Sequence, residues 1–234
     1  MMGIRDSCQT RQRAYVVKYL GMVPYEDALI RQEALRQLRG EGRIPDTVLL
    51  LQHPHVYTTG RFRGEEDIIV TPEDIPVIRT NRGGSITYHG PGQLVGYPVI
   101  DLSANGLSVR EYIWKLEEVI VRLLGGFDIQ AQRHADYPGG VWVRGFKICS
   151  IGINVSHHTT THGFALNVNN DLKYYDYIRP CGLNGAAMTS MAALLGHRVP
   201  FDTVVHNWIK LFPEVFDLRT EKNILLPAEE VALA

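Results

Sequence analysis

The chain has 234 residues, of which 45% are hydrophobic and 21% are charged, and its formal net charge is −1 at pH 7. This length and apolar content predict one globular domain over residues 1–234. The balanced charge excludes a nucleic-acid binder held by bulk charge. No apolar run approaches the roughly 18 residues that a membrane-spanning helix needs.

Cysteine usage indicates the compartment. Cys8, Cys149 and Cys181 make an odd number of thiols without the spacing of a disulfide framework. Residues 1–13 are polar and lack the apolar segment of a secretory signal peptide. We therefore expect a protein of the reducing cytoplasm, where thiols are free for chemistry.

The first half of the chain predicts strands and one helix. The helix covers 24–38, with Pro24 at its start and Gly40 after its end, as the conformational preferences of these two residues favour. Short apolar and β-branched runs predict strands over 15–20, 47–51, 77–79 and 94–102. Because proline cannot donate to a sheet ladder, Pro98 predicts an edge or a bulge in the last of these strands.

The second half begins with the clearest helix. It covers 108–124, opens with a capping box of Ser108 and Glu111, and ends at Gly125-Gly126. Further strands are predicted over 141–143, 146–155 and 164–168, the first two joined through Arg144-Gly145, and helices over 189–195 and 201–212. These elements predict an α+β fold with a mixed, largely antiparallel sheet packed with helices.

Residues 82–93 (RGGSITYHGPGQ) are dense in glycine, with polar side chains between the glycines. Glycine permits left-handed backbone and lets another group approach its N–H closely, so the segment predicts a binding loop. It lacks both the Gly-Lys-Ser/Thr ending of a phosphate loop and the Gly-x-Gly-x-x-Gly pattern of dinucleotide sites. This segment therefore gives no indication of a reaction that uses ATP.

Lys147 begins a strand whose alternate positions are otherwise apolar or thiol. With a period of two, Lys147 and Cys149 share one face with Ile151, Ile153 and Val155. An ammonium on a core-facing stripe is costly without a partner. Either Lys147 reaches water from the end of the strand, or it is held against a thiol.

Two thiols are candidates for that pairing. Cys149 lies about 7 Å along the same strand, where a cysteine is usually a small core residue. Cys181 stands between a proline and a glycine, in a turn that would expose a nucleophile. An ammonium that lowers a thiol pKa from about 8.5 to about 7 would raise the thiolate fraction at neutral pH from ~3% to ~50%. Such a thiolate would attack a thioester, and an amine would then take the acyl group.

The histidines do not predict a metal site. His53 and His55 form one pair, and His157, His158 and His162 lie close in sequence. None has the spacing of a zinc site, so we expect no metal. Residues 162–165 are interpreted as a turn feeding a strand whose backbone lines the site.

Six segments resemble, in order, the lipoyl(octanoyl) transferase family, whose members move an octanoyl group from acyl carrier protein to lipoyl domains. The segments are 53–61 (HPHVYTTGR), 82–93 with Tyr97-Pro98, 140–142 (GVW), 147–152 (KICSIG), 162–167 (HGFALN) and 180–182 (PCG). Their joint presence is far more specific than any one of them.

The resemblance implies an α+β fold shared with biotin and lipoate protein ligases, and no cofactor. It implies that Cys181 is the acyl-thioester nucleophile and that Lys147 lowers its pKa. It also implies an acyl pocket lined by Arg82, Gly83, Gly84, Ser85, Ile86, Thr87, Tyr88, His89, Ser150, Ile151, Gly152, Gly163, Phe164 and Ala165. In that pocket His89 either orients the thioester or relays a proton, or it only holds the loop by a hydrogen bond.

The implied donor is octanoyl-acyl carrier protein. The implied acceptors are lipoyl domains of 2-oxoacid dehydrogenase E2 subunits and the glycine cleavage H protein, with no nucleic acid or membrane as partner. An acidic carrier would suit arginines such as Arg61, Arg63 and Arg82. Two alternatives stay open: an ATP-dependent lipoate or octanoate ligase on the same fold, and a non-catalytic acyl-binding module.

Overall fold

The computed structural model describes residues 13–61, 65–70, 74–135, 137–179 and 188–220. The helices are α1 (Tyr25–Gly40), α2 (Val109–Gly125), α3 (Met191–Leu195) and α4 (Phe201–Phe216). The strands are β1 (Arg13–Met22), β2 (Asp46–Gln52), β3 (Val56–Thr59), β4 (Val77–Arg79), β5 (Thr87–His89), β6 (Gln93–Val99), β7 (Gln132–Arg133), β8 (Gly140–Val143), β9 (Phe146–Ser156), β10 (Thr159–Asn167) and β11 (Leu218–Thr220). Short 3₁₀ helices cover Glu65–Asp67 and Leu172–Tyr177.

Within these residues the strands form a large mixed sheet and a small one. The large sheet has the order β11-β1-β2-β6-β10-β9-β8-β7, in which β1 runs parallel to both neighbours and the other pairs are antiparallel. The small sheet has the order β4-β3-β5. The predicted α+β class with a largely antiparallel sheet is confirmed.

Helices cover both faces of the large sheet. On one face α2 and α4 enclose the main core, which includes the fully buried Tyr112, Trp208 and Phe212. On the other face α1 packs Ala28 against a smaller cluster around Leu49 and Val95. The first cluster contains far more buried apolar side chains than the second. Because burial of apolar surface contributes about 25 cal/mol per Å², it supplies most of the hydrophobic stabilisation. No helix in the described ranges has the length and apolar character needed to cross a membrane.

Local signals placed two boundaries correctly. At the start of α2, Ser108 Oγ accepts the Glu111 N–H at 3.2 Å, and the Glu111 carboxylate accepts the Ser108 N–H at 2.8 Å. Strands β8 and β9 form a hairpin through Arg144 and Gly145, whose φ values of 50° and 86° suit a two-residue turn between twisted strands. Both predictions are confirmed.

The edge position predicted from Pro98 is wrong. Strand β6 lies inside the sheet between β2 and β10, and Pro98 pairs with Val48 of β2. On its other side the ladder with β10 ends at Gly96 and Phe164, before the proline is reached. A Cβ at Gly163 would lie 2.7 Å from Pro98 Cδ, so glycine makes room for the ring. Pairing resumes beyond the proline at the bridge between Asp101 and Thr159, so the sheet accepts an inner proline by interrupting one ladder around it.

Candidate active site

A cavity of about 390 Å³ lies between the glycine loop and strands β9 and β10. Of the residues expected to form an acyl pocket, those that line it are Arg82, Gly83, Gly84, Ile86, Thr87, His89, Ser150, Ile151, Gly152, Gly163, Phe164 and Ala165. Segments about 80 residues apart in sequence therefore meet around one space.

Ser85 and Tyr88 do not line this cavity. Tyr88 alternates with Thr87 and His89 along β5, so its side chain points to the other side of the strand. There it is buried in an aromatic cluster and hydrogen-bonds His55 Nδ1 at 2.8 Å. Ser85 is also buried, and its carbonyl accepts the Gly60 N–H at 3.2 Å. Their side chains are therefore not part of the wall of this cavity, because a continuous run cannot place every side chain on one side.

Sequence reasoning missed several lining residues: Tyr25, Tyr97, Ile113, Tyr137, Pro138, Gly139 and Ile153. Tyr97 had a signal, since Tyr97-Pro98 followed the glycine loop in the family resemblance. Tyr25 belongs to α1 and Ile113 to α2. Their approach to the cavity depends on how the helices pack on the sheet, which no local pattern reveals.

Arg82 holds the glycine loop rather than facing solvent. It is 7% exposed, and its Nη2 donates to the carbonyl and the hydroxyl of Thr58 at 2.5 and 2.8 Å. A Cβ at Gly60 would overlap the carbonyl oxygen of Gly84, so the loop lies directly against the end of β3. Burial removes Arg82 from the expected basic docking patch, and Arg63 lies outside the described residues. The side chain of Arg61 donates to Asn81 O at 2.6 Å and to Asn154 Oδ1.

A β-bulge at the start of β9 separates Lys147 from Cys149. In the β8–β9 pair, Val141 lies opposite Cys149 but Trp142 lies opposite Lys147, so Ile148 is an extra residue. Ile148 and Cys149 are both fully buried in the main core, whereas Lys147 lines the cavity. The prediction that Lys147 and Cys149 share one face is wrong, because the extra residue breaks the alternation of the strand.

Lys147 is buried at the cavity wall with its side chain against Gly140. It is 5% exposed, so it does not reach bulk water from the strand end as one interpretation held. A Cβ at Gly140 would lie 2.5 Å from Lys147 Cε and 3.1 Å from Nζ. Nζ also lies 5.7 Å from the ring centroid of Trp142. The glycine therefore provides the space that the side chain occupies.

Cys149 is unsuited to be a nucleophile. Burial raises the pKa of its thiol far above the ordinary value, although the Lys147 charge opposes that effect. A thiol of raised pKa has a negligible thiolate fraction at neutral pH, and the side chain is fully buried. Of the two candidate thiols, the structure disfavours this one.

Cys181 lies outside the described residues, whose flanking members are Arg179 and Met188. Met188 forms a parallel bridge with Lys147, and the Thr189 N–H donates to the Lys147 carbonyl at 2.9 Å. The chain that follows the Cys181 segment therefore runs directly beside the strand that carries Lys147.

His89 hydrogen-bonds the end of its own loop. Its Nδ1 lies 2.8 Å from Gln93 Oε1. Gln93 Nε2 donates to Asn167 Oδ1 at 3.0 Å, so Oε1 is the acceptor and His89 Nδ1 carries the proton. Burial, and then the neighbouring His53, lower the pKa of His89 well below its usual value. The loop-holding hydrogen bond is present, and Nε2 of the neutral ring is an acceptor.

Two more buried histidines stay neutral at pH 7. Burial lowers the pKa of His53 to about 4, and burial with Arg82 and Arg61 lowers that of His162 to about 4. His162 lies within β10, paired with Ile153, although its φ is 58°. The turn predicted within residues 162–165 is therefore wrong, because all four residues belong to β10, and all four line the cavity. In the part of the chain that the structure describes, no group of His, Cys, Asp and Glu side chains is arranged to hold a metal ion.

Comparison with solved structures supports the fold. The crystal structure of lipoate-protein ligase A bound with ATP superposes with a TM-score of 0.69, covering 94% of this chain and 92% of that one. The sequence identity is 16%, so this likeness concerns the fold alone.

Sequence comparison is closer. An octanoyltransferase of Caldicellulosiruptor saccharolyticus is 48% identical over 206 residues, which cover 86% of this chain and 88% of that protein. The mitochondrial octanoyl-[acyl-carrier-protein]:protein N-octanoyltransferase LIPT2 of Xenopus tropicalis is 43% identical, covering 85% of each chain. Residues 24–213 match the family model described as the lipoyl protein ligase A/B catalytic domain. The chain therefore belongs to the lipoyl protein ligase A/B catalytic-domain family.

Proposed function

We propose that this protein is an octanoyltransferase that moves an octanoyl group from acyl carrier protein to a lysine of a lipoyl domain, through a thioester on Cys181. The activity is supported by relatives with the name octanoyltransferase that are 40–48% identical over most of the chain. The observation that carries the chemistry is the buried Lys147 at the wall of a largely apolar cavity.

The cavity suits a fatty acyl chain. Its volume of about 390 Å³ falls within the range of about 300–1,000 Å³ for small-molecule sites. Apolar walls come from Ile86, Ile151 and Phe164, while Gly152 and Gly163 narrow the space without filling it. An acyl chain here would be shielded from water, with its thioester close to Lys147.

The first half-reaction forms the enzyme thioester. The Cys181 thiolate attacks the carbonyl carbon of the donor, a new C–S bond forms, and the C–S bond to the carrier breaks. The carrier sulfur leaves as a thiolate and takes a proton. A buried ammonium favours the attacking thiolate, because a nearby positive charge lowers a thiol pKa.

The second half-reaction releases Cys181. The neutral amine of the acceptor lysine attacks the thioester carbonyl, a C–N bond forms, and the C–S bond to Cys181 breaks. The amine nitrogen loses one proton to water, which balances the proton that the carrier sulfur took from water in the first half-reaction, and the cysteine sulfur leaves as a thiolate beside Lys147. The reaction consumes no ATP. The ATP-dependent ligase alternative is supported by a likeness of fold at 16% identity and by a family model described for lipoyl protein ligases A and B, whereas the relatives at 40–48% identity carry the name octanoyltransferase.

Intact-mass measurement tests the proposal. The purified protein, mixed with octanoyl-acyl carrier protein without ATP, should gain one octanoyl group and lose it when a lipoyl domain is added. Cys181→Ser should gain none, while Cys149→Ser should be acylated as the wild type is. Acylation of Cys181→Ser with normal turnover would overturn the proposal, as would strict dependence on ATP and free fatty acid.

A further inference from the structure

Glu117 is a buried carboxylate that the proposed reaction does not use. It lies on α2 and is 5% exposed. A carboxylate removed from water is costly unless hydrogen bonds or charges compensate it. Its partners therefore indicate why it is retained at this place.

The first partners are backbone groups of the cavity wall. Glu117 Oε1 accepts the N–H of Gly139 at 3.0 Å and that of Gly140 at 3.3 Å. Gly139 has a φ of 83° and its carbonyl accepts the Ile151 N–H at 2.9 Å. One carboxylate oxygen thus holds two successive peptide groups at the point where the chain enters β8.

The second partner is Arg133, whose Nε lies 3.3 Å from Glu117 Oε2. Arg133 also donates to Glu118 Oε2 at 2.5 Å, and its guanidinium lies 4.3 Å from the Trp114 ring centroid. The arginine therefore compensates the buried charge, while the other oxygen of Glu117 is directed to the glycines.

Gly140 connects this carboxylate to Lys147. The glycine donates its N–H to Glu117, and the Lys147 side chain occupies the place of the missing Cβ. A displacement of Gly140 by a few tenths of an ångström would therefore move Lys147 Cε and Nζ, since they are in direct contact with it. The backbone of Gly139 and Gly140 transmits the position of α2 to the ammonium.

We propose that Glu117 is a positioning residue, which sets the place of the Lys147 ammonium by holding the Gly139–Gly140 backbone. Its catalytic consequence rests on the proposed function, whereas the position of Lys147 does not.

The experiment compares Glu117→Ala with Glu117→Gln, and uses the adjacent Glu118→Gln as the matched control. Gln keeps the acceptor oxygen and removes the charge, whereas Ala removes both. Glu118 pairs with the same Arg133 but does not touch the glycines. Thermal melting establishes that each variant is folded.

The first readout is the pH dependence of iodoacetamide alkylation at Cys181, quantified by peptide mass spectrometry. A displaced ammonium should raise the pKa of that profile by about one unit in Glu117→Ala. Glu117→Gln and Glu118→Gln should stay close to the wild type. Loss of a negative charge alone would lower the pKa in both Glu117 variants, and this outcome overturns the positioning role. Where the wild type takes up an octanoyl group, an unchanged profile in a folded Glu117→Ala protein overturns it too.

The second readout separates this inference from the proposed function. In protein labelled with ¹³C-lysine, the Lys147 Cε resonance, assigned with Lys147→Arg, should move in Glu117→Ala and not in Glu118→Gln. This holds whether or not the wild type takes up an octanoyl group. An unmoved resonance overturns the inference, while a wild type without acyl uptake overturns only the proposed function.

Discussion

Lys147 and Cys149 stand two residues apart on β9 and lie in opposite environments. Lys147 faces a cavity whose walls include polar side chains such as those of Arg82 and His89, whereas Cys149 faces the main apolar core. The bulge at Ile148 produces this division. A single extra residue in a strand thus decides which reactive group belongs to the candidate site and which is only a core residue.

Removal of Lys147 is expected to have the largest effect. Lys147→Ala should slow formation of the Cys181 thioester by about 10²–10⁴-fold, the usual range for loss of a group that assists proton or charge transfer. The rate is measured by quenching the acyl transfer reaction at intervals and determining the intact mass of the protein at each time. Lys147→Arg keeps the charge and should recover part of it. A wild-type rate in a folded Lys147→Ala protein would mean that the thioester does not form at the cavity that Lys147 lines.

Acid should destabilise the folded protein chiefly through the buried histidines beside the cavity, and less through the apolar core. His53 and His162 have pKa values lowered to about 4, against an ordinary value near 6.5. The unfolded chain therefore binds more protons below pH 6.5, so stability present above that pH is lost as pH falls towards 4. Each histidine contributes at most ~3 kcal/mol to the free energy of unfolding.

Urea denaturation between pH 7 and 4 measures that loss. His53→Asn should flatten the dependence, while His157→Asn, at an exposed position, should leave it unchanged. Equal slopes in the wild type and His53→Asn would contradict the neutral buried state of His53.

Gly140→Ala tests whether the close contact with Gly140 fixes the position of the Lys147 side chain. The added methyl would lie 2.5 Å from Lys147 Cε, so the side chain must move. We expect thioester formation to slow by about 30-fold, which corresponds to ~2 kcal/mol, and overpacking to destabilise the fold by about 1–3 kcal/mol. Gly125→Ala is the control, because a Cβ there meets nothing within 4 Å. Equal rates of thioester formation in the two variants would show that Gly140 does not fix the position of Lys147.

Cys149→Ser should have the smallest effect on transfer. The hydroxyl would be buried in the core and should lower the free energy of unfolding by about 1–3 kcal/mol, with the transfer rate nearly unchanged. Urea denaturation and the octanoyl transfer assay measure the two quantities. A folded Cys149→Ser protein that takes no acyl group would show that the core-facing thiol is the nucleophile.

Patterns that depend on neighbours in sequence predicted much of the fold. The Ser108–Glu111 capping box, the Arg144-Gly145 hairpin and the strand over 146–155 follow from hydrogen bonds and φ preferences within a few residues. The glycine loop was recognised as a cavity wall for the same reason, since its backbone freedom is visible residue by residue. Errors began where a prediction required knowledge of a partner strand, as at Pro98.

The sequence by itself determined the fold class and the glycine loop, because these depend on composition and short-range conformational preference. Only the tertiary structure decided that Lys147 and Cys149 face apart, that Arg82 is buried, and that α1 and α2 bring Tyr25 and Ile113 to the cavity. A bulge, a buried arginine hydrogen-bonded to Thr58 and a helix contact are properties of paired segments distant in the chain. Their free energies are fixed when those segments meet, and no single segment encodes them.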